Sequence, residues 1–86
     1  MTKLKVGETY KRIGKERYIK VLRHLQKYEV YLCDLVDIVS DKVKYACRIA
    51  VEHDELFLWE ETDVLYEDKL MEVEDFHRSH ALKTIK

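Results

Sequence analysis

Between Val43 and Val51 the chain alternates without a break. Val43, Tyr45, Cys47, Ile49 and Val51 fall on one side, and Lys44, Ala46, Arg48 and Ala50 on the other. A repeat of two is the repeat of an extended strand, whose successive side chains point to opposite faces. Its β-branched and aromatic content suits a pleated, half-buried surface. A strand needs a neighbour, and Glu29-Val30-Tyr31-Leu32-Cys33-Asp34-Leu35-Val36 reads as one. The polar Ser40-Asp41-Lys42 between them predicts a turn, and so a hairpin.

The remaining segments extend that pattern. Tyr10–Ile13 and Arg17–Leu22 flank Gly14-Lys15, and Gly14 can take a positive φ at no steric cost, so a second hairpin is expected there. Leu56-Phe57-Leu58-Trp59 is a short apolar run between acids and fits a buried strand. Thr62-Asp63 can cap one turn of helix near residues 63–68. Leu70–Phe76 then reads as a last strand, with Met71 and Val73 on one face and Glu72 and Glu74 on the other. The expectation is a mostly β small barrel of about five to six antiparallel strands over residues 1–76, with a polar tail at 77–86. The rival is helical or mixed. Ile19, Leu22 and Leu25 also fit a helical stripe, and a chain with no proline and two glycines permits long helices.

The strings Gly7-Glu8-Thr9-Tyr10-Lys11, Tyr18-Ile19-Lys20-Val21-Leu22, Val30-Tyr31-Leu32 and Phe57-Leu58-Trp59 resemble small SH3-like barrels of uncharacterised bacterial and phage proteins. Such families open on a Gly-x-x-Tyr strand and end on a Trp-bearing strand followed by a short turn. The resemblance spans residues 4–74. It implies a module that binds peptides, proteins or nucleic acid, and it transfers no site residues.

Eighty-six residues with 47% apolar and 38% charged side chains allow one modest core under a strongly solvated surface. No stretch approaches the length of a membrane span, and no apolar run follows the first lysines, so a signal peptide is not expected and a cytoplasmic location is. Cys33 and Cys47 then read as two small, reduced core residues. Cys47, on the apolar face of its strand, is expected to be buried and inert. Ser40 and Ser79 lie in no nucleophile motif, and there is no glycine-rich phosphate loop. His77-x-x-His80 has the spacing of one helix face but lacks a second close pair of ligands. The expectation is no catalytic residue, no metal, no cofactor and no enzyme.

Charge is the sharper signal. Residues 1–51 carry 12 Lys/Arg against 6 Asp/Glu, whereas residues 52–75 carry 1 Lys against 11 Asp/Glu. Segregation of this kind bears on partners and on encounter rates. The first expectation is therefore an acidic protein-binding face built from Glu52, Asp54, Glu55, Glu60, Glu61, Asp63, Glu67 and Asp68, with Trp59 or Tyr66 as anchors if exposed. Its partner would be a protein with a basic surface, as for a phage or mobile-element inhibitor of a nucleic-acid enzyme, anti-CRISPR-like in style. The second is nucleic-acid binding through Lys11, Arg12, Lys15, Arg17, Lys20 and Arg23, interleaved with tyrosines that can stack on bases. The third is a homodimer paired along a sheet edge.

Overall fold

The computed structural model describes residues 3–39 and 42–84, with side chains described over 3–39, 47–76 and 78–79. Among the described residues the chain forms one five-stranded antiparallel sheet, two short 3-10 turns and one α-helix. The strands are β1 (Thr9–Arg12), β2 (Glu16–Leu25), β3 (Val30–Val39), β4 (Lys42–Glu52) and β5 (Trp59–Glu61), and the helix is α1 (Tyr66–Thr84). Strand order is β4-β3-β2-β1-β5, so four strands follow one another as a meander and the fifth returns to the outer side of β1. Among the described residues no helix is long and apolar enough to cross a membrane.

The turns follow the local chemistry. Gly14 sits between β1 and β2 at φ 77°, in a turn closed by the Lys15 N–H on the Arg12 carbonyl (3.2 Å). That positive φ is the conformation glycine tolerates and other residues resist. Glu29, between β2 and β3, takes φ 55° without being glycine. It follows a 3-10 turn, Gln26–Tyr28, and its N–H donates to the Gln26 carbonyl (3.1 Å). The β3–β4 hairpin forms as the alternation predicts, although Ser40 and Asp41 of its expected turn lie outside the described residues.

The sheet is packed on both faces. One face carries the main core: Leu4, Tyr10, Ile19, Val21, Tyr31, Cys33, Leu35, Val51, Leu56 and Trp59. The other carries a smaller cluster, in which Tyr66 and Val73 of α1 sit on Val36, with Leu70 and Ile38 beside them. Tyr66, Leu70 and Val73 are spaced four and three apart, the repeat of one helix face. The helix starts where β1 holds it: the Tyr66 N–H donates to the Thr9 hydroxyl (3.2 Å), which satisfies a donor the helix itself cannot. Glu67 and Asp68 in the first turn suit the positive end of the helix dipole.

Three expectations need correction. Leu70–Phe76 is helix, not strand, and the single helical turn expected near residues 63–68 is instead a 19-residue helix that begins at Tyr66. The alternation of Met71 and Val73 with Glu72 and Glu74 mimics a strand, but Met and Glu are good helix formers and the buried positions repeat at helical spacing. Leu56–Trp59 is not a continuous strand: His53–Leu58 is a 3-10 turn, and only Trp59 enters β5. Cys47 is exposed, because β4 is an edge strand and the main core ends on β3 at this level; Cys33 is the buried thiol. Burial, and next to it the Asp34 charge, pushes the Cys33 thiol up to about 12.

Candidate functional site

The most distinctive local geometry is at the end of the sheet where the β2–β3 and β4–β5 connections meet. It begins with a bulge. Val21 faces Cys33 and the next pair is Arg23 with Leu32, so Leu22 is an extra residue in β2. A bulge of one residue shifts the inside–outside alternation beyond it. Ile19 and Val21 point into the main core before the bulge, and His24, not Arg23, takes the place opposite buried Tyr31 after it. The two rings stack at a centroid distance of 4.2 Å and an angle of 9°.

The second connection meets this stack from the other side. The His53 N–H donates to the Glu29 carbonyl (2.9 Å), tying the 3-10 turn His53–Leu58 to the β2–β3 turn. His53 thereby places its ring Nε2 2.9 Å from the Nε2 of His24. Its ring centroid is 5.4 Å from that of Tyr31. A contact of that kind between ring nitrogens needs a proton on one and a free lone pair on the other. Buried Leu56 anchors the turn in the main core.

Acids stand on the His53 side of the pair. Tyr28, Glu29, Glu52, His53 and Asp54 line a concavity of about 310 Å³. Glu52, Asp54 and Glu55 are exposed, and their carboxylate oxygens lie within 4.8 Å of one another. Two aromatic rings stand in solvent on the same two turns: Tyr28 is 68% exposed and Phe57 66%. The Lys27 ammonium lies 5.9 Å from the Tyr28 ring centre, which marks that ring as a surface a cation can rest on.

The acidic residues expected to act as one face form two groups. Glu52 ends β4, and Asp54 and Glu55 belong to the turn just described. Glu60 and Glu61 lie on β5, opposite Lys11 and Tyr10 of β1, while Glu61 and Asp63 share a depression with Lys5 and Glu8. Glu67 pairs with Lys20 (2.5 Å), and this hydrogen bond, more than any other influence, holds its carboxyl below the ordinary range. Asp68 sits beside it in the first turn of α1. The two candidate anchors are core residues. Trp59 is 5% exposed in the main core and Tyr66 6% exposed under the helix, so neither offers a ring to a partner. Among the described residues the exposed rings are those of Tyr28, which the sequence offered only as a base-stacking partner of the basic segment, and Phe57, which it placed in the buried run.

The basic residues are also dispersed. Arg17 pairs with buried Asp37 (3.3 Å) and Lys20 with Glu67. Lys11 stands opposite Glu60. Arg12, half-buried, and Lys15, exposed, lie at the β1–β2 turn, whereas exposed Arg23 lies near the far end of β2. The side chains of His77 and His80 lie outside the described residues. His24, His53 and Glu29 had one legible signal: the slip in alternation at Leu22, which breaks the run begun by Ile19 and Val21. No known protein family, curated protein or solved structure matches this chain.

Proposed function

We propose that the protein is a non-enzymatic binding module of SH3-like barrel type, and that it takes a basic segment of a protein partner at the acidic end of its sheet. The single observation that carries this reading is the cluster of Glu52, Asp54 and Glu55. Three exposed carboxylates share a few ångströms of space, and among the described residues none of them has a cation in an ion pair. Such a cluster stores like-charge repulsion that an arriving arginine or lysine relieves, and it steers that charge during encounter. Glu29 extends the field into the adjoining concavity, and Tyr28 and Phe57 supply exposed rings for the apolar stem or planar head of the incoming side chain. The SH3-like reading draws support from the opening strand after Gly7 and the Trp59-bearing strand, which lie side by side as β1 and β5.

The nucleic-acid reading draws less support, since Arg17 and Lys20 are engaged by Asp37 and Glu67 and Lys11 faces Glu60. The test is a titration of the full chain with an oligo-arginine peptide at low and high salt, beside a glutamate peptide and a single-stranded oligonucleotide. Saturable binding of the arginine peptide is expected, weakening with salt, and lost in the Glu52→Gln, Asp54→Asn, Glu55→Gln triple variant. The same binding in that variant overturns the reading. Binding of the oligonucleotide in preference to the peptide would restore the basic face.

A further inference from the structure

The His24–His53 pair has a use that the acidic cluster does not explain. Two imidazoles come from elements 29 residues apart in sequence, each held by independent contacts, with their Nε2 atoms 2.9 Å from one another. His24 is fixed by its stack on Tyr31, and His53 by its backbone bond to Glu29 and by the turn that Leu56 anchors. Rings so positioned lose little freedom when they bind something together.

Imidazole nitrogens bind a zinc-type ion at about 2.0–2.1 Å, so two of them at a right angle stand about 2.9 Å apart, and two at a tetrahedral angle about 3.4 Å. As it stands the contact is a ring-to-ring hydrogen bond, so an ion enters only when the shared proton leaves that nitrogen and the rings turn, with about half an ångström of widening for a tetrahedral site. His53 also lines the concavity whose other walls include Glu29, Glu52 and Asp54. Those carboxylates lower the potential at its mouth and offer oxygen ligands. Among the described residues, the tight ligand cluster comprises Glu52, Asp54 and Glu55 alone, so no carboxylate stands ready beside both rings. The remaining positions on an ion would be filled by water and by whichever exposed carboxylate turns inward.

We infer that His24 and His53 form a two-imidazole site for one divalent transition-metal ion, of the zinc, nickel or copper class, at the acidic end of the sheet. Imidazole donors select this class over calcium and magnesium, which prefer oxygen alone. The inference is independent of the basic-segment reading, because it rests on the imidazoles and that reading rests on the carboxylates.

The test uses the full chain, with Zn²⁺ titrated while backbone and histidine NMR signals are followed, and substoichiometric Cu²⁺ added as a paramagnetic probe. One ion per chain is expected, with the largest shifts and the copper broadening centred on His24, Tyr31 and His53. His53→Gln should weaken zinc binding by at least about tenfold. His24→Phe, which keeps a ring on Tyr31, should do the same while leaving the fold intact. The double variant His77→Ala, His80→Ala should bind as the unaltered chain does. The inference is overturned by the absence of saturable binding at millimolar zinc. It is equally overturned by unchanged affinity in folded His53→Gln and His24→Phe, whether the shifts then centre on the tail histidines or on the three carboxylates.

Discussion

The two faces of the sheet are packed on different terms. The main core joins every strand and both ends of the chain's meander: Leu4 before β1, Tyr10, Ile19 and Val21, Tyr31 to Leu35, Val51, Leu56 of the 3-10 turn and Trp59 of β5. The helix face rests on three buried residues, Val36, Tyr66 and Val73, and is supplemented by polar contacts such as Lys20–Glu67 and the Lys69 ammonium 5.3 Å from the Tyr18 ring centre. Burial of apolar area is the dominant favourable contribution, so the first face should carry most of the stability and the second should attach a helix to a fold that already exists. The candidate site belongs to the first face. His24 reaches it through the bulge at Leu22, and His53 through a turn anchored by Leu56.

The most severe way to break this comparison is to empty the main core. Trp59→Ala is expected to cost about 3–5 kcal/mol, enough to unfold much of a domain this size, in chemical denaturation. A loss no larger than that of a helix-face substitution would erase the distinction. Asp37→Ala comes next. Asp37 is 2% exposed and its carboxylate pairs with the Arg17 Nη2, while the buried Arg17 Nε has no hydrogen-bond partner among the described residues. Removing the acid strands a guanidinium that is partly open to solvent, so the cost should be about 2 kcal/mol, below the range for a fully buried pair. Arg17→Met in the same background should recover part of it.

The same contrast explains what the sequence made legible. Two of the hairpins follow from local patterns: period-two runs for β3 and β4, and Gly14 for the turn between β1 and β2. Each depends on neighbours in sequence. The helix was hidden because Met71-Glu72-Val73-Glu74 satisfies a period of two as well as a helix does, and the deciding stripe of Tyr66, Leu70 and Val73 reaches back into a segment that reads as a turn. Trp59 was placed in a strand but not inside or outside it, since a three-residue strand offers no alternation to read. The charge segregation was real in sequence and partly dissolved in space: Glu67 pairs with Lys20, Glu60 stands opposite Lys11, and Glu61 shares a depression with Lys5. What sets the turn acids apart is that three carboxylates crowd together there. The His24–His53 contact needed a bulge and a 29-residue separation, neither of which a linear pattern fixes.

Substitutions on the helix face should sharpen the contrast by being milder. Val73→Ala removes two methyl-sized groups from the small cluster and should cost about 1–2 kcal/mol. Hydrogen exchange should then rise along α1 first and leave β2 and β3 protected. This layer also holds two phenols that ionise late. Burial pushes Tyr18 up to about 12, aided by its hydrogen bond to Glu16 (2.8 Å), and burial does the same for Tyr66. A folded value above the unfolded one, about 10, favours the neutral phenol in the folded chain. Their contribution is complete below pH 10 and is lost as the pH rises from about 10 towards 12. Spectrophotometric titration should show these two phenols ionising late, together with loss of the helix signal. Their ionisation near pH 10 with the helix signal retained would contradict the packing of this face.

The smallest expected effect is at the rim of the same layer. The Lys20–Glu67 contact fastens the first turn of α1 to β2, but both side chains are well exposed, so Glu67→Gln should cost only about 0.3 kcal/mol. Its sign with pH is nevertheless definite. The folded value of Glu67 lies below the ordinary 4.5, so the stabilisation is present above that pH and fades as the pH falls through the lowered value. The stability difference between the unaltered chain and Glu67→Gln, measured by denaturant titration, should therefore shrink on acidification and with added salt. If instead the substitution costs as much as Val73→Ala at neutral pH, charge rather than the apolar stripe holds the helix. The acids of β5 and α1 would then be structural in a way that the turn acids are not.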